Sequence, residues 1–206
     1  QALLTVLRTE GRVASIDESM RYDAETGFYN QAGFELELHD WIKNDPGRQR
    51  LASAALIDVG QIGYLNRQHG TRFGDRLLAA AGSLLKDVMR KDRGYEVAAR
   101  IHGQQFLMFF GDTGPRNATS AAERMRQSFE DAVFEQEDLE ISAQVTCAVT
   151  EFLARDDSTS LLDRLRETLA AAKQTGGHCT MLDEGDGPTP VTPPEYQIPS
   201  RVIALE

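Results

Sequence analysis

Arg100-Ile101-His102-Gly103-Gln104-Gln105-Phe106, running on into Leu107-Met108-Phe109-Phe110, is the stretch on which the fold turns. Val97, Ala99 and Ile101 alternate ahead of His102-Gly103, and an apolar run from Phe106 follows it. Two apolar segments this close, with a glycine between them, read as a β-hairpin with a tight turn at His102-Gly103. A type I′ turn needs positive φ at both central residues. Gly103 accepts that freely, and histidine tolerates it better than most residues.

Working outward, Leu51 to Val59 is a short apolar run of the kind that fills a central strand buried on both faces. Phe34, Leu36, Leu38, Trp41 and Ile42 space a first packed helix. Ile62 to Asn66 reads as a short helix. Phe73, Leu77, Leu78, Ala81, Leu84, Leu85, Val88 and Met89 mark a long one by their i, i+3, i+4 spacing. Beyond the hairpin, Ala121 to Phe134 forms an amphipathic pattern with Asn117, Thr119 or Ser120 as its cap. Ile141, Ala143, Val145 and Cys147 alternate as one strand, Leu161 to Ala172 gives the last long helix, and Cys179 to Leu182 closes the series. Strands interleaved with helices around a hairpin imply an α+β fold, with a mixed sheet flanked by helices.

The flanks read differently. Ala2, Leu3, Leu4, Val6, Leu7, Val13 and Ile16 suggest an N-terminal helix, bent near Gly11, over residues 1–22. The central domain is expected over 23–184. From Gly185 the chain carries Pro188, Pro190, Pro193, Pro194 and Pro199, so 185–206 reads as an extended linker without a fixed fold. A chain of 206 residues has room for one ordinary domain with such flanks. Its formal net charge of −10, with no basic patch, argues against a nucleic-acid polymer or an anionic membrane as partner. No apolar run approaches the roughly 18 residues of a membrane span. A start at Gln1 reads as a fragment of a longer protein, cytoplasmic here, whose other parts could be membrane-attached. Cys147 and Cys179 lack metal-ligand spacing and read as two buried free thiols. His39, His69 and His178 form no ligand set either.

Four motifs, in order, carry a resemblance. Asp23-Ala24-Glu25-Thr26-Gly27-Phe28-Tyr29-Asn30 with Phe34 resembles the D-x-L-T-G-L-x-N-R-x-x-F opening of GGDEF domains, the family of diguanylate cyclases. Leu56-Ile57-Asp58, then Asn66, Gly70, Gly74 and Asp75, resemble the stretch that closes on the family's guanine pocket. His102-Gly103-Gln104-Gln105-Phe106 stands where the signature pentapeptide would be, and Ala172-Lys173 with Gly176 resembles the late A-K-x-x-G-R-N. Together they span about Asp23 to Glu184. The resemblance implies a nucleotidyl-cyclase-like fold, with a ferredoxin-like, mainly antiparallel central sheet.

What the resemblance implies about chemistry is a loss. Active relatives join two GTP molecules into cyclic di-GMP, with magnesium meeting the developing phosphate charge. Magnesium prefers carboxylate oxygen. The two family carboxylates match Asp58 and Gln104, and Gln104 offers a neutral amide oxygen, while Gln105 removes the neighbouring acid. Asp58 is then either a vestigial, weak metal ligand or a strand-end carboxylate capping the next turn. Gly60 replaces a second aspartate, Gly63 a phosphate-contacting lysine and Gly177 an arginine. Lys173 remains, as a phosphate contact or as a cation suited to a helix C-terminus. Asn66 and Asp75 match the base-reading pair, or else terminate and cap helices. Arg93 and Glu96 resemble the R-x-x-D product-binding site at which cyclic di-GMP inhibits active relatives. His102 reads as a solvated turn residue. The expectation is a catalytically inactive GGDEF-like interaction and relay module, with no cofactor. It would be joined by its N-terminal helix to an upstream sensor or neighbouring domain, or to a protein partner, and would be able to pair as a homodimer. The alternative is a nucleotide sensor for cyclic di-GMP through Arg93 or GTP through Asn66 and Asp75. An active cyclase is the remaining reading.

Overall fold

The computed structural model describes residues 20–44, 50–89, 95–194 and 196–205. The N-terminal helix expected over 1–22 lies, except for residues 20–22, outside the described residues, as does Arg93. Three helices precede the hairpin: α1 (Gln31–Lys43), α2 (Ile62–His69) and α3 (Thr71–Val88), with strand β1 (Ala52–Val59) between α1 and α2. Then come β2 (Glu96–His102), β3 (Gln105–Gly111), α4 (Pro115–Glu130), β4 (Ala132–Gln136) and β5 (Leu139–Ile141). The remainder is β6 (Val145–Glu151), α5 (Ser158–Gln174), β7 (Thr180–Asp183), β8 (Thr189–Pro190) and β9 (Arg201–Ala204).

The main sheet has the order β2-β3-β1-β6-β7-β8. Only β6 and β7 run parallel in it. The first four strands, with their connecting helices, make the ferredoxin-like arrangement, so the α+β expectation holds. Every residue of β1 is buried, because helices cover both faces of the sheet. Strand periodicity sorts the side chains. Ala55, Ile57, Phe106 and Met108 pack with α2, α3 and α4, whereas Ala54, Leu56, Leu107 and Phe109 pack with α1 and α5. Phe109 is the hub of the second face, with Trp41 at 5.2 Å, Phe152 at 5.8 Å and Tyr95 at 6.3 Å, all near edge-to-face.

Several boundaries move. The hairpin turns at Gly103-Gln104, with His102 and Gln105 paired as the last rung. Gly103 has φ +53° and Gln104 is not in the left-handed region, so the turn is not type I′. A register shift between Arg100 and His102 advances the turn by one residue. Helix α4 starts at Pro115, which needs no donor at the first helical position, and ends before Phe134, which lies in β4. Thr119 and Ser120 sit inside α4, their hydroxyls donating back to the carbonyls of Pro115 and Arg116. The run from Ile141 to Cys147 splits between two sheets rather than forming one strand. Cys147 is buried but Cys179 is half-exposed, and they point to opposite faces, one thiol toward Ala122 O on α4 and the other toward Ala172 O on α5. Both are free.

The proline-rich tail is a correction of substance, because 189–190 and 201–204 are strands. Thr189-Pro190 pairs with β7 at a sheet edge, where proline's missing donor faces no partner, and Val191 N donates to Thr180 O at 3.0 Å. Arg201–Ala204 lacks proline and runs parallel to β4, completing a second sheet of order β5-β4-β9. Leu205 is buried, 6% exposed.

Candidate functional site

Asp58 is the single charged residue of β1, and it stands next to the strand's C-terminal end. Its partner across β3 is Gln105 and its partner across β6 is Thr146. The strand register that buries Leu56 against α5 sends Asp58, two residues on, to the same face, toward the end of α5 where Lys173 lies. The carboxylate is 3% exposed and is surrounded by donors. Gln104 Nε2 donates to Oδ1 at 2.9 Å, Gln105 Nε2 to Oδ2 at 3.1 Å, and Lys173 Nζ reaches Oδ2 at 2.8 Å. Val59 N donates to Gln104 O at 3.1 Å, which ties the turn to the end of β1.

This arrangement changes the reading of all four residues. Gln104 presents its N–H to Asp58 rather than an amide oxygen to a cation. Lys173 neutralises Asp58 instead of reaching outward for a phosphate. Asp58 accepts from side chains and does not cap the following turn. The donor set does not suit magnesium, which asks for about six oxygens at roughly 2.0–2.1 Å. Here one carboxylate faces two amide N–H groups and an ammonium. Among the described residues no group of three or more His, Cys, Asp or Glu side chains could hold a metal ion.

The surrounding glycines have structural reasons. A Cβ on Gly60 would meet Gln144 O at 2.9 Å, and Gly60 N donates to that same carbonyl at 2.6 Å. Gly177 has φ +74°, and a Cβ there would meet Thr146 Oγ1 at 3.1 Å, so an arginine at that position would strain the α5–β7 turn. Gly63, by contrast, lies on the exposed side of α2, where a Cβ would make only an ordinary contact with Arg67 Nη1 at 3.8 Å.

The remaining sequence candidates lie apart from Asp58. Asn66 lies inside α2, in its last turn, its carbonyl accepting from Gly70 N at 2.9 Å, and its buried Oδ1 has no protein partner. Its side chain lies against Gly74, where a Cβ would collide with Oδ1. Asp75 is exposed within α3 and does not cap it, because Gly70 holds the N-cap position. Glu96 opens β2 opposite Phe110. His102 is exposed at the hairpin end, and His69 rests on Phe73 with ring centroids 5.0 Å apart.

Two charged clusters escaped the sequence reading. Arg100 Nη1 pairs with Asp23 at 3.2 Å and with Glu25, and its Nε donates to Gly103 O at 2.7 Å, which binds the opening motif to the hairpin. Burial alone would raise the Asp23 carboxyl, but Thr26 and Arg100 hold it below the ordinary carboxylate range. Asp23, Glu25 and Arg100 line an open cleft of about 370 Å³ with Asn30 and His102. Glu123 and Arg126, 1% and 6% exposed, form a buried pair on α4 with Arg126 Nη2 at 3.0 Å. Burial would raise Glu123 too, and Arg126 holds it low. Their i, i+3 spacing on the apolar side of an amphipathic helix was the available signal.

A ferredoxin-like sheet with helices on both faces, and an acid at the end of its central strand facing the turn of the β2–β3 hairpin, defines a domain of the nucleotide-cyclase type. The family model described as the diguanylate cyclase GGDEF domain matches residues 20–179, and the chain belongs to that family. It is similar to Diguanylate cyclase VdcA of Vibrio cholerae, 26% identical over 183 residues, covering 87% of this chain and 52% of that protein. It is also similar to Diguanylate cyclase A of Treponema denticola, 24% identical over 155 residues, covering 74% of this chain and 41% of that protein. The chain spans about half the length of these curated relatives. Among solved structures, the GGDEF domain of DgcB from Caulobacter crescentus in complex with c-di-GMP matches with TM-score 0.72 and 19% identity over 79% of this chain and 95% of that one. Diguanylate cyclase SiaD in complex with its activator SiaC from Pseudomonas aeruginosa matches with TM-score 0.75 and 21% identity, over 82% of this chain and 64% of that one. Among the described residues no helix is long and apolar enough to cross a membrane.

Proposed function

We propose that this GGDEF domain does not make cyclic di-GMP and acts by interaction, as a cytoplasmic relay between neighbouring domains or protein partners in cyclic di-GMP signalling. The observation that carries this reading is the ring of protein donors on Asp58. Its two oxygens are taken by Gln104, Gln105 and Lys173, so a cation would have to displace three partners to reach a single buried carboxylate. Without a metal clamp on the phosphates, and with glycine at 60, 63 and 177, charge developing in phosphoryl transfer goes unmet. Removing one such stabilising group typically costs about 10²–10³ in rate. An interaction role asks only for the scaffold. SiaD, seen with its activator SiaC, is a relative in which a protein partner binds.

The second reading, a nucleotide sensor, draws on the relative seen with c-di-GMP and on Asn66, whose buried Oδ1 lacks a protein partner. Incubation with GTP and magnesium, followed by mass-spectrometric detection of product, tests the first reading. No cyclic di-GMP is expected, and sustained product formation overturns it. Calorimetric titration with GTP and with cyclic di-GMP separates the two readings. Binding of cyclic di-GMP that Arg93→Ala abolishes selects the sensor.

A further inference from the structure

We propose that the C-terminal strap is coupled to Asp58, so that docking of residues 189–194 and 196–204 holds the α5–β7 turn and, through it, Lys173 in place. The proposal stands on geometry and goes beyond the function proposed above. Gln127, on α4, donates from Nε2 to Pro194 O at 2.8 Å and accepts at Oε1 from Tyr196 N at 3.2 Å, a two-point clip on a strap whose prolines supply few donors of their own. Beside the clip, Tyr196 Oη donates to Ser120 O at 3.1 Å, and Ser200 Oγ and Arg201 N both donate to Asp131 O, at 3.0 and 3.1 Å.

The same Gln127 Nε2 also reaches Glu123 Oε2 at 3.3 Å, and Glu123 is held by Arg126. Arg126 Nη1 continues to His178 O at 3.4 Å, inside the α5–β7 turn. On the far side of that residue, His178 N donates to Thr146 Oγ1 at 3.1 Å, and Thr146 is the cross-strand neighbour of Asp58. The turn begins just past Lys173, which lies in the last turn of α5, with Gly176 N donating to Lys173 O at 3.2 Å. An unbroken series of polar contacts therefore runs from the strap to the turn that follows Lys173. The turn has an uncommon backbone: Gly176, Gly177 and His178 all have positive φ, at +109°, +74° and +56°. Histidine tolerates that region better than most residues, but its backbone is also fixed here on both sides. Arg126 and Thr146 are what hold it. Glu123 and Arg126 are almost fully buried, so a shift in one must be taken up by its neighbours rather than by solvent.

Linkage makes the coupling reciprocal, and that is the test. Hydrogen exchange on the full chain reads the amides of Tyr196 and Arg201 in the strap and of Gly177 and His178 in the turn. Gln127→Ala removes both points of the clip. It should speed exchange at Tyr196 and Arg201 about thirtyfold, the effect of two hydrogen bonds at their ordinary net worth. It should also speed exchange at Gly177 and His178 at least about twofold, and raise acylation of Lys173 in peptide maps. Lys173→Met should in turn speed exchange at Tyr196, some distance away and beyond any contact of its own. Amides of β1 and β3 serve as controls. Should they also quicken in Gln127→Ala, Tyr196→Ala, which loosens the strap from its own side, decides the matter by the same readouts. Strap exchange that rises while the turn and Lys173 stay unchanged overturns the proposal, as does an unmoved Tyr196 amide in Lys173→Met.

Discussion

Lys173→Met removes the cation paired with Asp58, and the structure sets the size of the effect. Stripping one partner from a fully buried ion pair costs about 3–5 kcal/mol. The Lys173 side chain is 46% exposed, whereas that of Asp58 is 4% exposed, so solvent already screens one side of the pair. The carboxylate also keeps its two amide donors. The expected loss is therefore nearer the worth of one hydrogen bond to a charged group, about 2 kcal/mol. Asp58→Asn turns an acceptor-only group into one whose N–H₂ must face a donor, and should cost about 2–3 kcal/mol. The two changes share one contact. In a double-mutant cycle they should couple by about 1 kcal/mol or more rather than add. Urea titration gives the free energies. With a slope of about 3 kcal/mol/M, a loss of 2 kcal/mol moves the midpoint by about 0.7 M. Additivity within about 0.3 kcal/mol, or a Lys173→Met variant as stable as the parent, would refute the claim that Lys173 neutralises Asp58.

Restoring acids in the hairpin, Gln104→Glu with Gln105→Glu, puts three carboxylates around one lysine. Unit charges about 4 Å apart repel by about 4 kcal/mol at an effective dielectric of about 20, so the variant should be less stable by about 2–4 kcal/mol in chelator. It should still yield no cyclic di-GMP from GTP and magnesium; mass-spectrometric detection of product would sink that expectation. Glu123 has a folded-state pKa lowered from 4.5, so the stability it contributes is present above pH 4.5 and is lost as pH falls toward its folded value. Chemical denaturation between pH 3 and 6 should show a steeper acid limb in the parent than in Glu123→Gln, and identical limbs would contradict the assignment. Burial pushes the Cys147 thiol well above its ordinary range, so a maleimide at pH 8 should label Cys179 first and Cys147 only on unfolding. Peptide mapping checks the order.

The elements with strong local signals were legible in the chain. The continuous apolar run of β1, the helical spacing of α3 and the two-residue hairpin each follow from period and turn chemistry within about twenty residues. Boundaries failed where tertiary pairing overrode local pattern. Phe134 continues an amphipathic series, yet it leaves the helix because β4 pairs with β5 and β9. Proline content argued for a loose tail, but one proline-tolerant edge pairing, one proline-free strand and the Gln127 clip anchor it. The partners on α4 and β4 lie far away in sequence, Gln127 and Pro194 being 67 residues apart, outside any local reading.

For the site, the chain by itself determined which groups were present. An acid stands at Asp58 and amides at Gln104 and Gln105, glycine occupies 60, 63 and 177, and Lys173 follows Ala172. Only the tertiary structure decided what they do to one another. Strand register turns Asp58 toward α5, the end of α5 brings Lys173 to 2.8 Å, and the hairpin turns both amide N–H groups inward. A buried carboxylate must find donors wherever the fold supplies them. Composition names the donors, but only geometry pairs them, and here two amides and an ammonium meet at one buried carboxylate.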